Sequence, residues 1–296
     1  MYRDRVAPGP RRPGGASATR VACCQVRLAV GDLAGNRQRV LRAVEAAAAA
    51  GARIVVLPEL SNSGYVFTGA QEAGSLAEPL DGPTVTGWAR LARRLDLVLV
   101  GGLCERGQDG RLHNSAVVVD PTGVRAQYRK AHLWDREKTV FTVGDAPPPV
   151  VETPYGRVAV MICYDLAFPE WVRLPALAGA QLIAAPVNWP RGPRPAGERP
   201  SQVVRVQAAA EVNRVFVAVA DRAGVERGVG WVGGSVIVTP GGWPATGLVL
   251  DREATVASDV DLGAAMDKQV SDHNDVLADR RPELYGPVSA AGEPVA

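Results

Sequence analysis

Three stretches of the sequence each place one chemically useful side chain at the end of a predicted strand. Cys163 follows the apolar run 158–162, Glu59 follows a second apolar run and a proline, and Lys130 ends a β-type run. Strand ends open into the crevices where α/β proteins bind ligands. A thiol, a carboxylate and an ammonium group in such a crevice supply a nucleophile, a general base and a cation for a developing oxyanion.

The residues around Cys163 and Lys130 bear on this interpretation. Pro169 and Glu170 have the character of a helix start, so Cys163 lies where a strand stops and a helix is about to begin. A lone cysteine among apolar residues is also a common core residue, which leaves a structural role open. The chain has three lysines and thirty arginines, so the lysine at position 130 favours a role for a compact ammonium group.

The three stretches occur together in a known family. In this order and with these neighbours they resemble the Glu, Lys and Cys signatures of the nitrilase superfamily of carbon-nitrogen hydrolases, and the similarity covers residues 20–285. The residues that carry the resemblance are Leu57-Pro58-Glu59, Arg129-Lys130-Ala131-His132-Leu133, Glu137, Ile162-Cys163-Tyr164-Asp165, Asn188, the glycine-rich run 233–235 and the closing segment 280–285.

The resemblance implies a fold, an assembly and a set of site residues. The fold is α/β, a four-layer α-β-β-α sandwich, and members of the family form homodimers or higher homo-oligomers. Glu59, Lys130 and Cys163 take the catalytic roles. Glu137 matches a second active-site glutamate, although a solvated surface acid is the ordinary role of a glutamate.

Four more residues are candidates for the substrate pocket because they lie close to predicted strand ends or next to Cys163. Tyr65 lies in the loop 61–82 after Glu59 and either contacts the substrate or anchors the loop. The backbone N–H of Tyr164 is placed to stabilise an oxyanion, and Asn188 and Trp189 follow the predicted strand 181–186.

The residues after the cysteine favour one branch of the superfamily. Tyr164 and Asp165 differ from the Trp-Glu of classical nitrilases and resemble the amidase branches, so the expected reaction is hydrolysis of a small aliphatic or ω-amide through a cysteine thioester. An N-carbamoyl-amine amidohydrolase or a nitrilase would use the same triad. A catalytically silent binding or assembly module is the alternative of another class, and three intact catalytic residues argue against it.

Charged residues near the nucleophile are expected to be structural. Asp165, Glu170 and Arg173 are predicted to hold the strand-to-helix junction through buried ion pairs. His132 has no partner motif and is left out of the mechanism.

Composition limits the partners and the compartment. A net charge of +2 without a dense basic face argues against nucleic acid, and no apolar run approaches the length of about 20 residues that a membrane span needs. The expected ligand is therefore a small-molecule amide. The four cysteines have no metal-ligand spacing and neither a cofactor nor a metal is implied, so free thiols in a reducing cytoplasm are expected.

The chain is predicted to form one domain. Strands and helices alternate along its first third, which favours an α/β architecture. Residues 1–19 are predicted to be a disordered leader, residues 20–285 the single hydrolase domain and residues 286–296 a flexible tail.

Overall fold

Two β-sheets face each other in the middle of the protein, and helices cover the outer face of each sheet. The computed structural model describes residues 18–289. Apolar side chains from both sheets fill the space between them, and a second apolar cluster joins the first sheet to two helices. This confirms the predicted four-layer α-β-β-α sandwich.

Fifteen strands are present in the described part of the chain. They are β1 (Thr19–Gln25), β2 (Ile54–Val56), β3 (Val98–Arg106), β4 (Leu112–Asp120), β5 (Gly123–Arg129), β6 (Val150–Thr153), β7 (Gly156–Val160), β8 (Leu182–Pro186), β9 (Phe216–Ala220), β10 (Val225–Glu226), β11 (Val229–Gly230), β12 (Val236–Val238), β13 (Ala254–Val260), β14 (Gln269–Ser271) and β15 (Asn274–Asp275).

Helices connect these strands. The α-helices are α1 (Leu33–Ala49), α2 (Ala70–Leu76), α3 (Pro83–Leu95), α4 (Pro169–Leu177), α5 (Ser201–Asn213) and α6 (Gly286–Ser289), and short 3-10 helices span Asp135–Thr139, Cys163–Ala167, Leu262–Met266 and Pro282–Leu284.

Each large sheet has a parallel centre and antiparallel flanks. The first sheet has the order β13-β1-β2-β3-β4-β5, and the second has the order β12-β9-β8-β7-β6. Strands β1, β2 and β3 are parallel, as are β7, β8 and β9. The carboxyl ends of β2, β7 and β8 are therefore the edges from which the segments carrying Glu59, Cys163 and Asn188 emerge.

The alternation of side chains along β1 shows how the layers are joined. Cys23 points into the core between the sheets, whereas its neighbour Cys24 points toward the helices, because successive side chains of a strand face opposite sides. On the helix side, Val85, Trp88 and Leu91 form the buried stripe of α3. Burial of side chains of this size stabilises the fold by about 1.5–3 kcal/mol each.

The ends of α1 and α3 follow from local sequence. The Asp32 side chain accepts a hydrogen bond from Gly35 N at 2.9 Å and caps α1, whereas α3 begins at Pro83, where a proline lacks only an N–H that the first turn cannot use. Asp96 ends α3 in the left-handed conformation.

The sequence patterns missed the short strands β10, β11, β14 and β15 and two further elements, α2 and β6. The loop predicted over 61–82 contains α2, a helix of seven residues that buries only Ala73 and Leu76 and has a glycine in its middle, so its periodicity is weak. Strand β6 follows a run of prolines and pairs with β7 at the edge of the second sheet. Neither α2 nor β6 carries a predicted site residue.

The predicted terminal segments lie largely outside the described residues. Of the predicted leader, residues 1–17 are not described, and of the predicted tail, residues 290–296 are not described. Residues 286–289 form the single turn α6. Across residues 18–289, none of the helices has the length and apolar character needed to cross a membrane.

Candidate active site

A fully buried lysine joins two carboxylates at the centre of the site. The ammonium group of Lys130 donates a hydrogen bond to Glu59 Oε1 at 2.7 Å and another to Glu137 Oε1 at 2.8 Å. Lys130 and Glu59 have no exposed surface, and Glu137 is 5% exposed. Because the charges are shielded from water, their mutual interactions are much stronger than those of a surface ion pair.

Close packing of β3 brings Glu59 to this position. Glu59 follows Pro58 beyond the end of β2, and the backbone N–H of Gly102 donates to the Pro58 carbonyl at 3.1 Å. A Cβ atom at position 102 would lie 2.5 Å from Glu59 Cα, so only glycine allows the strand to approach this closely. The backbone of Leu60 then turns through a positive φ of 49°.

The nucleophile lies on a strained turn. Cys163 has a φ of 46° and opens a 3-10 helix three residues after the end of β7, and its side chain is buried. A cysteine in this region costs about 1–3 kcal/mol, which the surrounding contacts must offset. The Asp165 side chain accepts from Ile162 N at 3.1 Å and closes the turn.

Asp165 also connects this turn to the segment that carries Lys130. It accepts hydrogen bonds from the Tyr128 hydroxyl at 2.8 Å and from the backbone N–H of His132 at 3.0 Å. Tyr128 and His132 flank Lys130 in the chain, so one buried carboxylate fixes the lysine segment and the nucleophile turn relative to each other.

The ion pairs predicted around the nucleophile are therefore only partly present. Asp165 is fully buried, but its partners are a hydroxyl, backbone amides and the His132 ring, whose Nδ1 lies 2.7 Å from Asp165 Oδ1. Glu170 is exposed on the first turn of α4, and Arg173 Nη1 is buried without a hydrogen-bond partner among the described residues. The prediction was wrong for Glu170 and Arg173, because Glu170 is exposed to solvent and neither side chain forms an ion pair within residues 18–289.

The environment of Glu59 makes it a base for neutral pH. Burial raises the pKa of the Glu59 carboxyl to about 7, and the negative charge of Glu137 adds to this effect, while Lys130 and Asn114 oppose it. Glu59 Oε2 has no hydrogen-bond partner among the described residues. This carboxyl oxygen is available to exchange a proton with a thiol or with a substrate.

The pKa values of Lys130 and Cys163 are both shifted, and each depends on the charge of the other group. Burial opposes the charge of the Lys130 ammonium group, but the carboxylates of Glu137 and Glu59 outweigh it and keep the pKa of Lys130 above its usual value. Burial and the charge of Glu59 raise the pKa of the Cys163 thiol, and Lys130 acts to lower it. The resting thiol is therefore protonated, and it needs Glu59 as an acceptor for its proton.

Glu137 is held by donors on both of its oxygens. Besides Lys130, the Tyr65 hydroxyl donates to Oε1 at 2.6 Å and the Trp134 backbone N–H donates to Oε2 at 2.9 Å. With donors on both oxygens the side chain is fixed in one orientation. The arrangement suits Glu137 for holding Lys130 and the substrate in place.

Asn114 belongs to this cluster and was missed at the level of sequence. Its Nδ2 donates to Glu59 Oε1 at 2.7 Å and lies 3.3 Å from Glu137 Oε1, so it bridges the two carboxylates. Asn114 lies on β4 opposite Cys104, and its backbone carbonyl accepts a hydrogen bond from the backbone N–H of Lys130. The available signal was an asparagine in a predicted strand, where this residue type is depleted.

The four predicted substrate-binding residues lie at different distances from the catalytic cluster. Tyr65 contacts Glu137, and the ring of Tyr164 packs edge-on to Trp134 at 4.8 Å, beside the nucleophile. Asn188 is buried and its Nδ2 donates to the backbone carbonyl of Glu59 at 2.9 Å, and the backbone carbonyl of Asn188 lies 3.9 Å from Cys163 Sγ. Trp189 is buried, and its backbone N–H donates to Asp221 Oδ1 at 3.0 Å.

A cavity of about 330 Å³ opens next to Glu137 and Tyr65. Pro190, rather than Trp189, contributes to its wall from the segment after β8. Ligand cavities commonly measure about 300–1,000 Å³, so this one is large enough for a small organic substrate. The described residues contain no group of three His, Cys, Asp or Glu side chains that could hold a metal ion.

The fold and the sequence together show the family. The sequence profile named "Carbon-nitrogen hydrolase" matches residues 20–267, which is most of the chain. The chain belongs to the carbon-nitrogen hydrolase family of the nitrilase superfamily, as its motifs predicted.

Its relatives place it among the members that act on amides. A protein named nitrilase from Pyrococcus abyssi is 36% identical over 253 residues, which are 84% of this chain and 92% of the relative. An (R)-stereoselective amidase from a Pseudomonas species is 34% identical, and the match covers 86% of this chain and 89% of the relative. The crystal structure of an amidase from a Nesterenkonia species superposes with a TM-score of 0.75 at 28% identity, covering 91% of this chain and 95% of that one. The protein is thus an amidase-type carbon-nitrogen hydrolase.

Proposed function

We propose that the protein hydrolyses a linear primary amide to a carboxylate and ammonia through a thioester on Cys163. The observation that carries the proposal is the buried cluster in which Lys130 joins Glu59 and Glu137 and in which all three charges act on the Cys163 thiol. Two structures of variants of the Nesterenkonia amidase support it. One shows covalent addition of the acetamide moiety of fluoroacetamide at the active-site cysteine, so that protein's cysteine is a nucleophile, and another shows a complex with butyramide.

The first half of the reaction transfers the acyl group to sulfur. Glu59 accepts the proton of the Cys163 thiol, and the thiolate attacks the carbonyl carbon of the amide. Lys130 Nζ and the backbone N–H of Tyr164 stabilise the oxyanion, and each such donor typically contributes about 10²–10³-fold in kcat. Glu59 returns its proton to the amide nitrogen as the C–N bond breaks, which releases ammonia and leaves the thioester.

The second half returns the enzyme to its resting state. Glu59 accepts a proton from water while the oxygen attacks the thioester carbonyl, and the same donors stabilise the second oxyanion. Collapse of this intermediate releases the carboxylic acid and the Cys163 thiolate, which regains its proton from Glu59. Water and amide are consumed, and acid and ammonia are formed. Glu137 keeps Lys130 in place throughout and transfers no proton.

The test is ammonia release combined with mass spectrometry of the intact protein. Small aliphatic amides and ω-amides are the first substrates, with N-carbamoyl amines and nitriles alongside them. Amide turnover with an acyl adduct on the native enzyme, both lost in Cys163→Ala, supports the proposal. Cys104→Ala is the matched control, since Cys104 is a buried thiol outside the catalytic cluster.

Three results of this experiment contradict the proposal. Turnover of carbamoyl compounds alone or of nitriles alone would retain the catalytic residues and change the substrate class. Silence toward the whole panel from a folded protein would favour the binding-module alternative. Amide turnover that persists in Cys163→Ala would remove the thioester from the mechanism.

We also propose that the protein forms a homodimer through α4 and α5. The two helices pack side by side on the outer face of the second sheet, and each carries apolar side chains that are at least 40% exposed, namely Leu174 and Leu177 on α4 and Val204 and Val212 on α5. Sedimentation equilibrium of the native protein and of Leu177→Glu tests this, because a charge in the interface should shift the mass toward the monomer. A native protein that sediments as a monomer contradicts it.

A further inference from the structure

The cavity beside the catalytic cluster is walled mainly by aromatic and apolar side chains. Aromatic rings from three separate segments surround it, and the polar groups are few. The residues that define this aromatic cavity are Tyr65, Phe67, Trp134, Phe141, Val229 and Trp231. We propose that it binds the acyl group of the substrate and that this group is an arylalkyl or long alkyl chain, an inference that rests on the proposed function.

The position of the general base decides which end of the substrate enters the cavity. Glu59 is fully buried and does not line the cavity, whereas Glu137 and Tyr65 do. The departing nitrogen must meet Glu59, so it enters the enclosed end of the site, where an unsubstituted NH₂ fits best. The aromatic cavity is therefore left for the group on the other side of the carbonyl.

The ring contacts favour an apolar occupant. Phe67 and Phe141 meet edge-to-face at 6.0 Å, and Tyr65 and Trp231 do so at 5.3 Å. Aromatic walls of this kind bind a further ring through edge-to-face or offset contacts. An acyl chain that ends in a carboxylate would lose its hydration against these rings, which costs free energy unless a partner ion is present.

Arg136 is the one cation among the residues that line the cavity, and it lies at the exposed rim and not among the rings. Glu137 is already bound to Lys130, and Asp135 and Arg136 lie side by side at the exposed rim with opposite signs. Arg136 Nη2 also lies 3.5 Å from the Thr68 carbonyl. The rim therefore presents almost no net charge to an incoming ω-carboxylate.

A buried ion pair keeps the cavity open before substrate arrives. The Arg222 guanidinium bonds to both oxygens of Glu226 and lies 4.8 Å over the ring of Trp231. Glu226 in turn accepts the backbone N–H groups of Tyr65 and Val66 at 2.9 and 2.7 Å. Walls fixed in this way cannot collapse around a smaller substrate, so binding energy depends on how well the acyl group fills the space.

The volume sets the size of the best acyl group. A water molecule takes up about 30 Å³ of liquid, so a cavity of about 330 Å³ accommodates on the order of ten non-hydrogen atoms. Butanamide leaves much of this volume unused, whereas 3-phenylpropanamide fills it. Each buried methylene contributes about fourfold to kcat/KM, and a buried phenyl group contributes at least about tenfold.

The experiment measures kcat/KM for butanamide, hexanamide, 3-phenylpropanamide and the ω-amide glutaramate with the native enzyme and two variants. Val229→Trp fills the cavity from the β10–β11 hairpin, and Val225→Trp on the same hairpin is the matched control, since Val225 is 68% exposed and does not line the cavity. We expect the native enzyme to prefer 3-phenylpropanamide to butanamide by at least tenfold. The preference should fall by at least tenfold in Val229→Trp and stay within twofold of native in Val225→Trp.

Three outcomes contradict the inference. The first is a native enzyme that prefers glutaramate or butanamide to 3-phenylpropanamide. The second is a Val229→Trp variant in which kcat/KM falls equally for all substrates. The third is a Val225→Trp variant that changes the preference as much as Val229→Trp does. If Val229→Trp does not fold, Val140→Trp, which fills the cavity from the segment after Glu137, takes its place with the same criteria. Silence toward every amide would instead contradict the proposed function itself, so the two failures are distinct.

Discussion

The charge of Glu137 should set the pH range in which the enzyme works. The Oε1 atoms of Glu59 and Glu137 lie 2.7 and 2.8 Å from the same Lys130 nitrogen, so the two carboxylates repel each other across one cation. Two unit charges about 5 Å apart at an effective dielectric constant of about 20 repel by about 3 kcal/mol, which corresponds to about two pKa units. Glu137→Gln removes this repulsion and keeps the shape of the side chain.

The expected result is a shift of the acid limb of the pH profile. Glu59 must be ionised to accept the thiol proton, and its pKa is raised to about 7, so kcat/KM of the native enzyme should fall tenfold per unit below that pH. In Glu137→Gln the same limb should move to about pH 5. At pH 6 the native enzyme would retain about one-tenth of its plateau and the variant about nine-tenths.

The assay is ammonia release from butanamide between pH 4.5 and 8.5, with each profile scaled to its own plateau. Alkylation of Cys163 by iodoacetamide over the same range provides a second readout that needs no turnover. Tyr65→Phe is the matched control, because it removes a hydrogen bond to Glu137 without changing any charge, and its limb should stay near pH 7. An acid limb that remains near pH 7 in Glu137→Gln would refute the electrostatic reasoning.

Three further predictions concern the residues that hold the site. Gly102→Ala places a Cβ atom 2.5 Å from Glu59 Cα, so urea unfolding should show a loss of about 1–3 kcal/mol, together with lower kcat; unchanged stability and kcat would contradict the close approach. Asp165→Asn weakens the hydrogen bonds that hold the nucleophile turn, so kcat should fall about 10- to 100-fold while the acid limb of the pH profile stays in place. A shifted acid limb would contradict the view that Asp165 only positions the turn. Burial raises the pKa of Asp221 from 3.8 to about 7, so the folded state keeps a proton that the unfolded chain loses, and stability falls as pH rises between these values. Asp221→Asn should lack this part of the fall, on the order of 4 kcal/mol between pH 4 and 7.5 in urea unfolding, and parallel pH dependences of the two proteins would contradict the assignment.

The sequence sufficed for the parts of the fold that repeat a simple pattern. Apolar runs of strand length, each ending in one polar residue, located the strands before Glu59 and Cys163 and the junction at which each side chain emerges. The predicted strand 181–186 differs from β8 by one residue, since a proline marks its end clearly.

The contacts across the two sheets could not be read from the sequence. Asn114 lies 55 positions from Glu59 and bridges it to Glu137, and its local signal, an asparagine within a strand, does not indicate which residues it contacts. The same holds for Asp165, whose neighbours suggested ion pairs but whose partners come from β5 and the segment after it. Such partners depend on how the sheets stack, which is a property of the whole core.

The pairing of β1 with β13 has a consequence for synthesis of the chain. Thr19 pairs with Val260 and Gln25 with Ala254, so the outer edge of β1 is completed only by a strand made more than two hundred residues later. At about 5–20 residues per second, a ribosome needs roughly ten to fifty seconds to produce it. During that time β1 presents an unpaired and largely apolar edge to neighbouring nascent chains, and such edges recruit other strands. A chain cut after Asp251 would keep that edge open permanently, and we expect it to be recovered as aggregate, whereas loss of α6 alone should leave the protein in solution.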